Sequence, residues 1–291
     1  MDEIGQLNAQ SAIRSIEFDD VRVTYVVDGA IEIRPEAFFP ALPAEFWRDT
    51  PDALTDGGFV AMSAGGLLVE RAGHRLLIDA GYGPVQATTP IATIKCGALP
   101  ETLAQLGVKP DDIDVFAMTH LHIDHTGWAF VDGEPTFPSA AYRVAQTEID
   151  DDVRSVGTPE PEVLRAFRKT ATTFTDGDEI APGVSAIVTP GHTAGHTTYR
   201  ITTSAGRKIL AFGDAFHIPA QISHYDWQSA ADARDVLQAR ARLLGELEQP
   251  DTIGFGTHFG DQVFGRVLRE KSLVWQPIPA PIRGQLDQRY S

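Results

Sequence analysis

A single cysteine, Cys96, stands in 291 residues, so no disulfide can form within the chain, which fits a reducing compartment. Basic residues are also scarce. Lysine and arginine total 24 against 40 aspartates and glutamates, a formal net charge of −16. So acidic a surface repels phosphate backbones and anionic membranes, and neither nucleic acid nor a membrane is expected as a partner. No apolar run approaches the ~20 residues that a membrane span needs, and Met1–Gln6 has neither a basic nor an apolar leader region. A cytoplasmic location is the expectation. No G-x-S-x-G elbow occurs, so a serine nucleophile of that type is excluded. No low-complexity linker divides the chain, and residues 1–291 read as one domain.

What is present is ordinary globular material, 43% apolar and 22% charged, around one unusual stretch. Three of the nine histidines fall within His120-Leu121-His122-Ile123-Asp124-His125. The apolar run Val115–Met118 before them reads as a buried strand, and Gly127 after them as the far side of a turn. Side chains two apart in an extended segment point the same way, so His120 and His122 can reach one metal together. Asp124 and His125 follow the bend and can face a second. Imidazole suits zinc and other borderline divalent ions, and a carboxylate favours an ion that keeps a water.

The same device recurs downstream. Val184–Thr189 reads as a strand running into Pro190-Gly191-His192-Thr193-Ala194-Gly195-His196. His192 is the ligand candidate there, and His196 a supporting group. Lys208–Phe212 ends at Gly213-Asp214, and Thr252–Phe255 at Gly256-Thr257-His258. His217, three residues past Asp214, is the candidate to face substrate, with His224 a weaker one. Upstream, Ile78-Asp79-Ala80-Gly81 puts an acid at a strand end. Asp79 is either a cap or, the preferred reading, a partner that orients a metal-bound histidine.

The remaining expectations are structural. Val21–Val27 reads as a strand ending in a turn at Asp28-Gly29. Leu99–Gly107 and Glu162–Thr172 have helical spacing, Ala230–Leu247 is helical by composition, and His74 is expected at the surface. Residues 36–57 form an irregular excursion rich in aromatics and prolines, either packed on the core or serving as a lid. Phe46 and Trp47 within it, with Trp128 and Phe216 beside ligand turns, are candidates for a substrate pocket. Glu148–Asp152 reads as a solvated acidic helix start, and 265–291 as a polar tail.

Taken in order, Thr119–Gly127, Thr189–His196, Gly213-Asp214 and Gly256–His258, with the early Asp79-Ala80-Gly81, resemble the metallo-β-lactamase superfamily over roughly residues 20–262. The resemblance implies an α/β fold: a four-layer αββα sandwich, two mixed sheets flanked by helices, with a dinuclear site at one edge. It implies that His120, His122 and His192 hold one metal, that Asp124, His125 and His258 hold the other, and that Asp214 bridges them. The most similar branch is that of quorum-quenching lactonases and methyl-parathion-hydrolase-like enzymes. Acyl-homoserine-lactone hydrolases of the best-known type carry a tyrosine three residues after the bridging aspartate; this chain has His217 there, as the parathion-hydrolase-like group resembles it.

The chemistry so implied is hydrolysis by a hydroxide held between two divalent ions, zinc first, with manganese, iron or cobalt as alternatives. The expected substrate is a lactone or other carboxylic ester of a small lipophilic molecule. Asp124 would orient the nucleophile, Asp214 would fix the spacing, and His217 would serve the oxyanion or the leaving group. Alternatives on the same site are phosphotriester or thioester hydrolysis, or a mononuclear-iron oxidoreductase of the persulfide dioxygenase kind. A homodimer is allowed by the resemblance alone.

Overall fold

The structure, a computed structural model, describes every residue except 1–3, 152–156, 233–234, 285, 287–288 and 290–291. Two large sheets stack face to face. In the first, the β-branched strand Val21–Ile33 pairs antiparallel with Ile13–Phe18 on one side and Val60–Arg71 on the other. His74–Ile78 follows antiparallel, and Val115–Ala117, Ala141–Ala145 and Thr172–Phe174 then add in parallel. The second sheet runs Glu179–Ala181, Val184–Val188, Thr197–Thr202, Lys208–Ala211, Thr252–Phe255, Phe264–Arg269, Leu273–Pro277. Among the described residues its one parallel pair is Lys208–Ala211 with Thr252–Phe255.

Tyr25, Leu67, Ile78, Tyr199, Ile209 and Phe255 are buried between the sheets. The outer face of the first sheet is covered by helices Leu99–Gln105, through Leu99 and Leu103, and Pro161–Thr170, through Phe167. The outer face of the second lies under helix Leu237–Leu247, which inserts Leu243, Leu244 and Leu247. This is the αββα arrangement. Sheets covered on both faces explain why their strands read as continuous apolar runs rather than alternating ones. Each fully buried Leu or Phe contributes about 1.5–3 kcal/mol.

Several expectations are corrected. Residues 265–284 are no tail: Phe264–Arg269 and Leu273–Pro277 extend the second sheet, and Ile282–Gly284 crosses to pair with Ile13–Phe18 in the first; of the rest of the expected 265–291 tail, residues 285, 287–288 and 290–291 lie outside the described residues. The prolines fit because Pro277 terminates its strand and Pro279 and Pro281 lie in the crossing. Of the expected helix Ala230–Leu247, Leu237–Leu247 is helical and residues 233–234 lie outside the described residues. The 36–57 excursion contains two short helices, Pro35–Phe38 and Ala44–Asp49, and buries Phe39, Leu42 and Trp47. Of the acidic patch, Asp152 lies outside the described residues, and Glu148 is buried rather than solvated. His74 is exposed.

Asp28-Gly29 is not a turn. The strand continues through it, with a register shift between Val27 and Gly29 that marks a β-bulge. The fully buried Asp28 carboxylate accepts N–H groups from Tyr82 (2.8 Å), Gly83 (3.0 Å), Gly97 (3.2 Å), Leu99 (3.0 Å) and the Trp128 indole (2.7 Å). Burial pushes its pKa up to about 6 against the pull of those donors. One carboxylate thus ties three loops and a helix start to the central strand. Asp28→Ala strands these donors in the interior and is expected to lower the unfolding free energy by about 3 kcal/mol or more; urea denaturation followed by far-UV circular dichroism measures it.

Candidate metal centre

The strand ends at one edge of the sandwich deliver the candidate ligands. Val115–Ala117 leads into His120 and His122, and the single helical turn Ile123–Thr126 that follows carries Asp124 and His125. His192 follows Val184–Val188, Asp214 follows Lys208–Ala211, and His258 follows Thr252–Phe255. Strand ends suit this role because the sheets hold their backbones rigidly while the last residues are free to turn inward.

Four of the rings are fixed from behind. The Nδ1 atoms of four histidines lie against outward partners: His120 on Thr119 Oγ1 (3.0 Å), His125 on Asp79 Oδ2 (2.8 Å), His192 on Asp232 Oδ1 (3.0 Å) and His258 on the Ser63 carbonyl (2.8 Å). A hydrogen bond at Nδ1 selects the tautomer and turns the Nε2 lone pair inward. Asp79 also accepts the Thr119 amide (2.8 Å) and hydroxyl (2.7 Å). It does so from a left-handed backbone, φ 62°, that aspartate tolerates better than most residues. It therefore holds the His125 ring and the Thr119 side chain, and caps no helix. His196 stays behind the centre: its Nε2 accepts the Asp214 amide at 3.0 Å and its Nδ1 meets Thr189 Oγ1 at 2.9 Å.

The inward atoms converge. His120, His122 and His192 place one ring nitrogen each within 4.8 Å of one another; so do Asp124, His125, Asp214 and His258 with one donor atom each. Asp214 stands between the sets. Its Oδ2 lies 3.4 Å from His192 Nε2 and 3.8 Å from His120 Nε2, its Oδ1 3.2 Å from His125 Nε2 and 3.1 Å from His258 Nε2. Buried Nε2 atoms of His120, His125 and His258, and Oδ1 of Asp214, make no hydrogen bond. Buried polar atoms without partners are costly, and unpartnered nitrogens and a carboxylate oxygen aimed at common points are what a divalent cation satisfies. The residues present fit two such ions.

The electrostatics agree. Burial, then the neighbouring imidazoles, holds His120 well below its ordinary pKa, and burial with His192 pushes His122 down to about 3. For His125 and His258 burial works the same way, but Asp214 beside them raises both. Asp214, whose burial alone would raise it, is kept well below the carboxylate range by His258, His125 and His217. An ionised carboxylate among imidazoles is a seat for positive charge.

The metallo-beta-lactamase superfamily profile matches residues 66–256, about two thirds of the chain. The chain belongs to that superfamily. It is 30% identical over 114 residues to an N-acyl homoserine lactonase of Bacillus thuringiensis, a match spanning 39% of this chain and 42% of that relative. Over 166 residues it is 30% identical to an N-acyl homoserine lactonase of a Bacillus species, covering 56% of this chain and 62% of the relative. The chain thus spans about half the length of the curated relatives it matches. Among solved structures it resembles AidC, a dizinc quorum-quenching lactonase in complex with a product N-hexanoyl-homoserine (TM-score 0.78, 21% identity, 93% of this chain and 99% of that one). It also resembles AbOPH, a hydrolase in the beta lactamase superfamily (TM-score 0.75, 24% identity, 92% and 98%). These structural likenesses establish the superfamily fold.

Within this superfamily fold, a cavity of about 750 Å³ opens beside His258, bordered by Phe46, Trp47, Ile218 and His224 among others. Trp128 and Phe216, expected at the pocket, are not among its walls. Trp128 spends its N–H on Asp28. Phe216 is fully buried against Phe212 under the Leu237–Leu247 helix, because adjacent residues in extended backbone face opposite sides and His217 takes the inner one. His217 Nε2 lies 3.2 Å from Asp214 Oδ2, and its ring nitrogens make no hydrogen bond. His224 stacks on Trp227 at 3.9 Å.

Two supporting acids were not legible beforehand. Asp232 holds His192 and is itself paired with the buried Arg240 at 3.2 Å. Glu148 joins two ligand loops: Oε1 accepts the Leu121 amide (2.9 Å), Oε2 the Thr193 hydroxyl (2.7 Å) and the Gly195 amide (2.8 Å). A Cβ on Gly195 would sit 2.2 Å from the Glu148 nitrogen, so only glycine allows this approach. The sole signal for Glu148 was its place just after the Ala141–Ala145 strand, beside the strand that delivers His120. Glu148→Ala leaves three donors without a partner and frees the two loops. The expected results are about 3 kcal/mol lost in urea denaturation and zinc affinity weakened ~10–100-fold in competition with a chromophoric chelator.

Proposed function

We propose that this chain is a metal-dependent hydrolase of ester bonds. Two divalent ions, zinc first among the candidates, are held by His120, His122 and His192 on one side and Asp124, His125 and His258 on the other, with Asp214 shared. The substrate is a lactone or other carboxylic ester of a small lipophilic molecule. The observation that carries the reading is the division of Asp214, whose Oδ2 faces His120 and His192 while Oδ1 faces His125 and His258. A single-ion centre has no use for a carboxylate split in this way. The relatives that are N-acyl homoserine lactonases support the ester class.

Ions held there supply Lewis acidity and a hydroxide nucleophile at neutral pH. The chain's own residues do the rest. Asp214 fixes the separation of the two donor sets. Asp124, the least buried of the acidic ligands, accepts a hydrogen bond from the attacking group and orients it. His217 is placed through its backbone, since its amide donates to Gln221 Oε1 at 2.6 Å, and its ring is turned toward the centre, with Nε2 3.2 Å from Asp214 Oδ2. Phe38 meets that ring edge-on at 5.2 Å and His258 lies parallel to it at 5.9 Å. Burial lowers the pKa of His217, so the neutral imidazole donates a hydrogen bond to the developing oxyanion or the departing alkoxide.

Elemental analysis of protein purified without added metal, with a panel of lactones, aryl esters and phosphotriesters, tests the reading. Close to two zinc or manganese ions per chain with lactone turnover is expected. One iron per chain with oxygen uptake on a persulfide would overturn it, and phosphotriester turnover alone would move the substrate class. His217→Ala is expected to lower kcat for the lactone ~10²–10⁴-fold at unchanged metal content. The Phe46→Ala, Trp47→Ala double variant should raise KM for a bulky lactone; unchanged kinetics would remove both residues from the pocket.

A further inference from the structure

Residues Gly5–Asn8 border the cavity beside His258, and several bonds hold them there. The Asp261 amide donates to the Gln6 carbonyl (3.0 Å), Gln262 Nε2 to the Gly5 carbonyl (3.0 Å) and Asn8 Nδ2 to the Leu54 carbonyl (3.0 Å). A Cβ on Gly5 would lie 2.2 Å from the Asp261 carbonyl, so the chain is pressed directly on the loop that follows His258. That loop is itself fixed: Asp261 pairs with the buried Arg14 at 2.5 Å and accepts the Ala12 amide at 3.0 Å. The segment therefore spans from the ligand loop to the aromatic excursion as a fixed wall. Aspartates 49 and 52 also border the cavity, and among the described residues no lysine or arginine does.

We propose that residues 5–8, with Leu7 central, form the wall that reads the part of the substrate remote from the scissile bond, and that the cavity takes uncharged apolar chains and rejects anionic ones. The proposal rests on the ester-hydrolase reading. A cavity of about 750 Å³ has room for an alkanoyl chain of several carbons beyond the reacting group. Burying such a chain against Phe46, Trp47, Val60, Ile218 and Leu7 gains about fourfold in kcat/KM per methylene until the space is filled. A terminal carboxylate would be desolvated against the apolar lining with no cation to pair it, and at the rim it would meet the exposed Asp49 and Asp52, which is unfavourable on both counts.

The test uses the metal-loaded protein, a series of alkanoyl-substituted lactones from two to twelve carbons, the same series ending in a carboxylate, and p-nitrophenyl acetate as a reporter of the centre alone. For wild type, kcat/KM should rise with chain length and fall at least about tenfold when the terminus is a carboxylate. Leu7→Trp, which fills the space beside the wall, should lower kcat/KM about tenfold more for the long chains than for p-nitrophenyl acetate, with the loss lying in KM. Leu7→Ala should move the optimum to longer chains, and Asp49→Asn with Asp52→Asn should narrow the gap between neutral and anionic termini. A flat chain-length profile, or equal effects of Leu7→Trp on short and long substrates, overturns the proposal while p-nitrophenyl acetate turnover leaves the hydrolase reading intact. If no ester is turned over, the hydrolase reading fails instead. Calorimetric binding of octanol then decides the wall: octanol should bind and weaken about tenfold in Leu7→Trp, and an affinity unchanged by Leu7→Trp would overturn it.

Discussion

An ionised carboxylate buried among imidazoles is the constraint on which this molecule turns. Asp214 is almost wholly removed from water, and His120, His125, His192, His217 and His258 all place Nε2 within 4 Å of its oxygens. Removing a carboxylate from water costs several kcal/mol even after relaxation, and the cost is recovered only where positive charge is concentrated. The protein concentrates it by bringing strand ends from both sheets to one edge, so the fold and the centre impose the same requirement. Two stacked sheets whose connections gather at one rim are the simplest way to bring residues 120, 192, 214 and 258 together.

Orientation is the second requirement, and it accounts for most of the buried polar groups that do not face the centre. Thr119, Asp79, Asp232 and the Ser63 carbonyl each take one Nδ1. Glu148 and Asp28 do the same for backbone, collecting amides from loops that would otherwise be free to separate. These acids are as buried as the core leucines and contribute by fixing positions. Each is tolerable only because every oxygen it buries finds donors.

The sequence pointed to the candidate ligands because each carries a local signature: an apolar run, a glycine, a histidine or aspartate at the break. The αββα layering was legible for the same reason, since strands buried on both faces read as unbroken apolar runs. Glu148, Asp28 and Asp232 were not legible, because their partners lie 27 to 100 residues away and an acid in an acidic stretch looks like a solvated one. The strands after residue 264 were hidden by their prolines and arginines, and their pairing with Thr252–Phe255 and Ile13–Phe18 is a tertiary fact. Phe216 and Trp128 show the opposite error: nearness in sequence to a ligand turn does not say which way a side chain faces. For Phe216 the alternation of extended backbone settled it, and for Trp128 the hydrogen bond its indole requires.

Arg240 joins the centre to the cavity. Fully buried, it donates to the Ala215 carbonyl (2.6 Å) next to Asp214, to the Trp227 carbonyl (2.6 Å) and to Asp232 (3.2 Å), which in turn holds His192. Trp227 packs edge-on against Phe46 at 5.1 Å, so the aromatic excursion and His192 are braced by one guanidinium. A planar group with five fixed donors can hold three elements in one geometry, as a lysine could not. The arrangement makes the pocket wall and the reacting centre mechanically one piece. Phe46, Trp227, Arg240, Asp232 and His192 thus form one contact network, whereas residues 5–8 are braced separately on Asp261 and Arg14.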